Sequence, residues 1–228
     1  MLFRSEVSFR VGDGHKVALI GPNGSGKTTL LKMIAGDLDP EEGSVAITGG
    51  LGVMRQFIGS VRDESTVRDL LLSVAPKRVR DAAQRINETE AKMYETGEEK
   101  DQMAYAQAII EWGDAGGYEF EVIWDACCTE TFDKPFDEMA GRLVNTLSGG
   151  EQKKLAVRAL LAGPEETLLL DEPDNYLDVP SKRWLEKVIA ETDKTVLFVS
   201  HDRELLEEVA TRIVTLRSEE HTSELQSH

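Results

Sequence analysis

A glycine-rich loop between a strand-like segment and a helix-like segment constrains this 228-residue chain more than any other feature. Lys16–Ile20 is a short apolar run of the kind that forms a buried strand. The segment after it fits the pattern G-x-x-x-x-G-K-[ST], and helix-forming residues follow at 30–35. The residues of the loop are Gly21, Pro22, Asn23, Gly24, Ser25, Gly26, Lys27, Thr28 and Thr29. A strand, a glycine loop and a helix in this order predict a loop that binds phosphate groups.

The residue types in this loop suit a nucleotide triphosphate and a magnesium ion. Glycines let the backbone curl so that its N–H groups point at the phosphates, and the start of the helix adds a favourable dipole. Lys27 is expected to reach the β- and γ-phosphates, and the Thr28 hydroxyl is expected to bind Mg²⁺. A chance glycine turn is the alternative, but it leaves the flanking strand and helix unexplained.

Two further apolar segments end in groups that can do chemistry. Residues 167–173 form an apolar strand that ends in Asp171 and Glu172, and residues 195–200 form another that leads to His201. Strands of this kind deliver such groups to the carboxyl edge of a parallel sheet, where ligands bind. Asp171 can hold the water shell of Mg²⁺, Glu172 can orient or deprotonate a water, and His201 can donate to the γ-phosphate. The alternatives are that both acids cap the next helix and that His201 is structural.

A second candidate anion site lies before the amphipathic run at residues 153–161. Its sequence is LSGGEQ, from Leu147 to Gln152. A serine hydroxyl and glycine amides at the start of a helix can bind an anion. The candidate ligands of this site are Ser148, Gly149, Gly150 and Glu151.

The order of these motifs resembles an ATP-binding-cassette ATPase over residues 6–216. The resemblance implies an α/β P-loop NTPase fold with a mixed sheet flanked by helices and an inserted helical lobe at 57–146. It implies that two cassettes close around ATP and Mg²⁺, so that one cassette alone cannot complete its site. It further implies that Ser148 and Gly150 act on the nucleotide of the opposite cassette. Gln56 would join the catalytic groups and the Mg²⁺ ligands, and Asp178 would lie at the seam between cassettes.

The sequences of the motifs are similar to those of the ABC-F class. Proteins of this class carry two cassettes on one chain and no membrane domain. The similar segments are SGGEQKK, DEPDNYLD, VSHDRELL and the Gly116-Gly117-Tyr118-Glu119 stretch. Asp174 and Tyr176 depart from the class, which has threonine and histidine there. The class implies a second cassette in the parent chain, or a homodimer, and the ribosome as partner, in translation regulation or antibiotic resistance. The alternatives are the nucleotide-binding subunit of a membrane transporter and an inert truncated reading frame.

The interval between Gln56 and the LSGGEQ segment predicts helices. Residues 66–73 form one, and a stripe of Val79, Ala82, Ala83, Ile86 and Met93 predicts a second. Thr96-Gly97 ends it, and residues 99–112, with Met103, Ala106 and Ile110 on one face, predict a returning helix. This pattern suggests an αα-hairpin, and a standard helical lobe with one long solvated helix stays open.

Composition limits the class of protein. The net charge of −16 argues against a stand-alone nucleic-acid binder, because such a surface repels phosphate. No apolar run approaches the roughly 20 residues that a membrane span needs, so no membrane insertion is expected. Cys127 and Cys128 are adjacent and therefore suit packing better than a disulfide. We expect a cytoplasmic protein.

Both ends of the chain look foreign to this cassette. The tail at 217–228 resembles the translation of a sequencing-library adapter, and the reverse complement of codons for RSEEH translates to the first five residues when GTG is the start codon. We therefore interpret residues 1–5 and 217–228 as non-native and residues 6–216 as a single cassette domain.

Overall fold

A computed structural model describes residues 8–56, 58–60 and 63–216 of the chain. The interpretation of residues 1–5 and 217–228 as non-native lies outside the described residues. The chain divides into two compact units, Met1–Gln56 with Glu166–His228 and Phe57–Glu165. The second unit starts where the helical lobe was expected to start, and it continues through the LSGGEQ segment and its helix. The lobe boundary at 146 stays a prediction.

The described strands form a five-stranded parallel sheet in the first unit. The strands are β1 (Lys16–Ile20), β2 (Leu51–Met54), β3 (Thr167–Asp171), β4 (Thr195–Val199) and β5 (Arg212–Thr215). Their order is β2-β3-β4-β1-β5, and all four pairings are parallel. The fold class is therefore confirmed, but the sheet that these residues form is parallel and not mixed. Each strand reaches the next through a long crossover, which a parallel pairing requires.

The central strands are apolar along their length because helices cover parallel sheets on both faces. All five residues of β4 are buried, as are the last four of β3. The apolar core of this unit joins the sheet to the helix that follows the glycine loop. Its buried members are Val17, Leu19, Leu31, Leu169, Leu197, Val199 and Leu216.

Nine helices lie among the described residues. They are α1 (Lys27–Ile34), α2 (Val67–Val74), α3 (Lys77–Thr96), α4 (Glu99–Asp114), α5 (Gly117–Phe132), α6 (Phe136–Met139), α7 (Gly149–Ala162), α8 (Val179–Glu191) and α9 (Arg203–Val209), with a 3₁₀ turn at Val144–Thr146. The first unit contains α1, α8 and α9, and the second contains α2 to α7. Helix α2 begins at a capping box in which Thr66 and Asp69 bind each other's backbone N–H.

Aromatic packing forms the core of the second unit. Trp124 packs against Trp112, Phe120 and Phe136, with ring centroids 5.5–6.4 Å apart. Cys127 and Cys128 are buried and unbonded, and burial raises their thiol pKa values to about 11 and about 12. The expectation that both cysteines are packing residues is confirmed, since thiols with such pKa values stay protonated near neutral pH.

Helices α3 and α4 form the αα-hairpin. Side-chain contacts join Arg85 to Glu111, Glu90 to Tyr105, and Lys92 to Asp101, so the two helices run antiparallel. Gly97 ends α3 in the left-handed conformation with φ 64°, which a glycine adopts without strain. The predicted stripe on α3 is confirmed, because Val79, Ala82 and Ala83 are buried and Ile86 and Met93 are half-buried.

The returning helix is present as α4, and the apolar face that the sequence pattern identifies on it is exposed. Met103 and Ile110 are 67% and 57% exposed, and Ala106 is exposed as well. The buried residues are Asp101, Ala108 and Trp112. The polar contact of Asp101 at one end and the aromatic core around Trp112 at the other rotate α4 about its axis, so its second apolar stripe faces away from α3.

Candidate functional site

The glycine loop after β1 has a backbone that its glycines require. Gly24 and Gly26 have φ values of 81° and 90°, in the left-handed region that other residues enter only with strain. A Cβ at Gly21 would lie 2.6 Å from the carbonyl oxygen of Leu216 and 2.7 Å from the hydroxyl of Ser25. The loop therefore needs glycine at Gly21 for close packing and at Gly24 and Gly26 for conformation.

Lys27 lies at the centre of this loop. The residue is 8% exposed, and Nζ donates to the carbonyl oxygens of Gly21 and Pro22 at 2.8 and 2.9 Å. The loop thus curls around an ammonium group. Gly26, at the amino terminus of α1, supplies no side-chain cap, so the first N–H groups of α1 stay available to an anion.

The remaining loop side chains surround the same turn. The Ser25 hydroxyl is buried and has no hydrogen-bond partner among the described residues. Thr28 is half-buried at the start of α1, whereas Thr29 is exposed. A buried lysine, open backbone donors and an unbonded hydroxyl fit a phosphate group.

The parallel sheet collects the other predicted residues at one edge. The carboxyl ends of β1, β2, β3 and β4 lead to the glycine loop, Gln56, Glu172 and His201, respectively. Because all pairings are parallel, these four strand ends lie on the same side of the sheet. The sheet therefore brings together the predicted site residues of the first unit.

Several side chains at this edge of the sheet lie against Glu172. The side-chain amides of Gln56 and Asn175 donate to its Oε2 at 2.7 and 2.5 Å, and His201 Nε2 lies 3.9 Å from its Oε1. Its backbone N–H donates to the carbonyl of Val199 at 2.9 Å, and its φ of 51° is left-handed. The strained backbone turns the carboxylate away from the strand axis and toward the two amides and the imidazole.

The observed helix caps exclude the alternative that Asp171 and Glu172 cap the next helix. The side chain of Asp178 caps α8 and accepts from the Ser181 N–H at 3.0 Å. Asp171 is the last residue of β3 and is 5% exposed, while Glu172 faces Gln56 and Asn175. Neither acid is a helix cap. Asp178 caps α8 here, and its place at a seam between cassettes stays a prediction.

Asn175 is a site residue that the motif analysis did not assign. Its position three residues after Glu172 could have indicated this role, because a turn between them brings the two residues together. The N–H of Asn175 points to the carbonyl of Glu172 at 3.4 Å. This turn returns the amide of Asn175 to the carboxylate of Glu172.

The LSGGEQ segment forms a capping box at the start of α7 in the second unit. The Ser148 hydroxyl accepts from the Glu151 N–H at 3.2 Å, and a Glu151 carboxylate oxygen accepts from the Ser148 N–H at 2.7 Å. Gly149 and Gly150 are the first two residues of the helix. The Ser148 hydroxyl proton remains available for donation, but the Glu151 carboxylate is turned back onto the cap.

Gln152 anchors this segment and was also missed. It is fully buried, and its amide donates to the carbonyls of Val144 and Leu147 at 3.1 and 3.3 Å and accepts from the Gly59 N–H at 3.2 Å. A buried amide with satisfied partners holds the segment in one conformation.

The profile of the ABC transporter family matches residues 5–175, which is most of the chain. The chain belongs to the ABC transporter family of ATP-binding cassettes. The resemblance drawn from its motifs is confirmed, and so is the P-loop NTPase fold. No helix among the described residues is long and apolar enough to cross a membrane.

Named relatives are similar to this cassette over most of its length. An "Antibiotic resistance protein" of Mycobacteroides abscessus is 60% identical over 211 residues, and the "Tylosin resistance ATP-binding protein TlrC" of Streptomyces fradiae is 36% identical over 219 residues. Each match covers 92% of this chain but only 38% and 39% of those relatives. The chain thus spans about two fifths of their length.

A solved structure has a similar fold. It is the complex of the archaeal ribosomal stalk protein aP1 and the archaeal ribosome recycling factor aABCE1. The TM-score is 0.55 with 26% sequence identity, and the match covers 90% of this chain and 32% of the solved chain.

Proposed function

We propose that this chain is one cassette of a two-cassette ABC-F ATPase that acts on the ribosome in the cytoplasm. The observation that carries the proposal is the convergence on Glu172 of Gln56, Asn175 and His201, at the sheet edge that also bears the phosphate loop. A carboxylate held by neutral amides beside an imidazole can accept a proton from a water molecule.

The residues of the first unit suit ATP and Mg²⁺. Lys27, the glycine amides and the Ser25 hydroxyl would hold the phosphates, and Thr28, Gln56 and Asp171 would hold the metal. No group of three or more His, Cys, Asp or Glu side chains among the described residues could hold a metal ion by itself. Proteins bind Mg²⁺ through one or two carboxylates together with substrate phosphates and water, and Asp171 would supply such a carboxylate. Bound Mg²⁺ would neutralise charge on the phosphates.

Each residue at the sheet edge has one task in hydrolysis. Glu172 accepts the proton of the attacking water, and its Oε2 is oriented by Gln56 and Asn175. His201 donates a hydrogen bond to the γ-phosphate, and Lys27 stabilises the negative charge that spreads over the phosphate oxygens. These tasks require charged and polar groups in fixed positions, and rigid strand ends hold the groups there.

Completion of the site would require a second cassette. The start of α7 presents the Ser148 hydroxyl and the N–H groups of Gly149 and Gly150. Such a helix start can bind the γ-phosphate of a nucleotide that another cassette holds. We assign Glu151 to the shape of this segment through the capping box, and not to a direct contact with phosphate.

The ribosome is the partner that the relatives favour. The names of the two sequence relatives concern antibiotic and tylosin resistance, and the solved structure concerns a ribosome recycling factor. The motif wording points to the same class. The net charge of −16 means that contacts with ribosomal RNA would come from local basic groups or from other parts of the parent protein.

Glu172→Gln in the intact protein tests the proposal. Without a base, ATP turnover should fall by on the order of a hundredfold to ten-thousandfold, while ATP still binds and holds the cassettes closed. Glu191→Gln, at an exposed position on α8, is the matched control. ATP-dependent cosedimentation of the Glu172→Gln protein with ribosomes would support the proposal. Unchanged turnover would refute the role of Glu172, and copurification with a membrane-spanning partner instead of ribosomes would make the protein a transporter subunit.

A further inference from the structure

An ion pair joins helix α8 to the loop that carries His201. Nζ of Lys182 donates to Oδ2 of Asp202, and the two side chains are 33% and 15% exposed. Lys182 lies in the first turns of α8, and Asp202 directly follows His201 in sequence. The pair is therefore partly shielded from water, where a charge-assisted hydrogen bond is stronger than on an open surface.

Asp202 is held on every side. Its N–H donates to the hydroxyl of Ser200 at 2.9 Å, and its Oδ1 caps α9 by accepting from the N–H groups of Glu204 and Leu205. Its Oδ2 takes the ammonium of Lys182. His201 thus lies between the buried Ser200 and an aspartate whose side-chain oxygens are both bound.

Lys182 balances several acids at this position. The hydrogen bond to Asp202 raises the pKa of Lys182, and Asp174 and Glu204 add to that effect. The same hydrogen bond lowers the pKa of Asp202. Asp174 is 5% exposed, and its Oδ1 has no hydrogen-bond partner among the described residues. Removing the lysine charge would therefore leave two shielded carboxylates without this counter-charge.

We propose that Lys182 is a positioning residue for His201. This inference rests on the proposed ATPase function and adds a residue to it. Asp178, the N-cap of helix α8, ends the loop that starts at Glu172 and contains Asn175. The ion pair therefore ties the Glu172 loop, through α8, to the His201 loop. His201 Nε2 lies 3.9 Å from Glu172 Oε1, and loss of the pair is expected to change this separation.

Lys182→Met in the intact protein removes the ion pair and keeps a long, unbranched side chain. We expect kcat for ATP to fall by roughly tenfold or more with KM little changed, since a displacement near 1 Å can cost about a hundredfold. Lys187→Met, on the same helix with a side chain 70% exposed, is the matched control and should behave as wild type. Lys182→Arg should restore most of the rate, because it keeps a cationic donor.

A second readout does not need hydrolysis. In protein without nucleotide, the imidazole NMR resonances of His201 should shift in Lys182→Met and not in Lys187→Met. If wild type hydrolyses ATP and Lys182→Met matches Lys187→Met in both readouts, the inference is overturned. If wild type does not hydrolyse ATP, the proposed function fails, and the His201 resonances still decide whether Lys182 positions this side chain.

If Lys182→Met folds poorly, a double variant tests the positioning role instead. Lys182→Met with Asp202→Asn removes both charges and keeps the capping oxygen of residue 202. We expect the low kcat to persist in this variant, because the tie is still missing. A return to the wild-type rate would mean that unpaired charge had caused the loss, and it would overturn the positioning role.

Discussion

Asn175 shows how one amide can adjust the proposed catalytic group. Its side chain and that of Gln56 donate to the same oxygen of Glu172, so the other oxygen, Oε1, faces His201. Two neutral donors orient a carboxylate without placing a positive charge beside it. A lysine or arginine would add such a charge. The two amides therefore orient the carboxylate for its role as a base.

Asn175→Ala should reduce ATP turnover without abolishing it. One hydrogen bond to a charged group contributes about 1.5–3 kcal/mol, and Gln56 remains, so kcat is expected to fall by up to about a hundredfold. Steady-state kinetics of the intact protein would measure the loss. Asn87→Ala, at an exposed position on α3, is the control, and equal kcat in the two variants would remove Asn175 from the site.

Gly117 illustrates a constraint that packing imposes on a single residue. A Cβ there would approach Cε2 of Trp112 to 2.0 Å, so no side chain fits between the start of α5 and this ring. Arg68 lies over the same ring at 5.6 Å from its centroid. The glycine at Gly117 therefore serves the aromatic core of the second unit.

At the scale of elements, the tip of the α3–α4 hairpin depends on Asp101. The hydroxyl of Thr96 donates to Asp101 Oδ2 at 2.6 Å, and Lys92 Nζ lies 3.3 Å from Oδ1. The hydrogen bond from Thr96, followed by the bond and charge of Lys92, lowers the pKa of Asp101, while desolvation opposes the shift. A carboxylate at a turn between two helices thus joins the end of α3 to the start of α4.

This contact predicts a pH dependence of hairpin stability. Because the pKa of Asp101 is lower in the folded state than in the unfolded chain, its contribution is present above the unfolded value of about 3.9. It is lost as the pH falls through the folded value. Asp101→Asn should therefore lower the urea concentration at the midpoint of unfolding at pH 7. The difference in midpoint between this variant and wild type should shrink in acid.

The exposed Asp114→Asn, at the other end of α4, is the control for this experiment. It should leave the difference between neutral and acidic midpoints as in wild type. A pH-independent gap between Asp101→Asn and wild type would contradict the role of the Asp101 charge.

At the scale of the whole molecule, nucleotide binding and stability are linked. A ligand that binds only the folded state stabilises it by about 2.7 kcal/mol at a hundred times its Kd. We expect ATP with Mg²⁺ to raise the Tm of the intact protein and Lys27→Ala to remove that rise, because the ammonium at the centre of the loop is lost. Scanning calorimetry with and without nucleotide would measure both.

Lys32→Ala, on the exposed side of α1, is the control for Lys27→Ala. Lys27 also holds two loop carbonyls, so the Tm of each variant without nucleotide serves as its own baseline. A normal nucleotide-dependent rise in Lys27→Ala would contradict the assignment of the loop.

From the sequence alone, strands β1, β3 and β4, the glycine loop and the order of the motifs could be predicted, whereas β2 and β5 were not. Lys16–Ile20 was predicted with its observed bounds, and the helix after Thr66 within one residue. These features depend on neighbours in sequence: apolar runs, capping residues and glycines whose backbone conformation is local. The strand ends then follow, because parallel strands deliver their carboxyl ends to one edge.

Contacts between residues that are far apart in sequence could not be predicted and depend on the folded structure. The buried face of α4 depends on Asp101 and Trp112, since both of its stripes have helical spacing and only packing selects one. The contact between Gln56 and Glu172 spans 116 residues, and that between Lys182 and Asp202 spans 20. The free energy of such contacts depends on where the sheet and helices place each side chain, and no local pattern of residues encodes that placement.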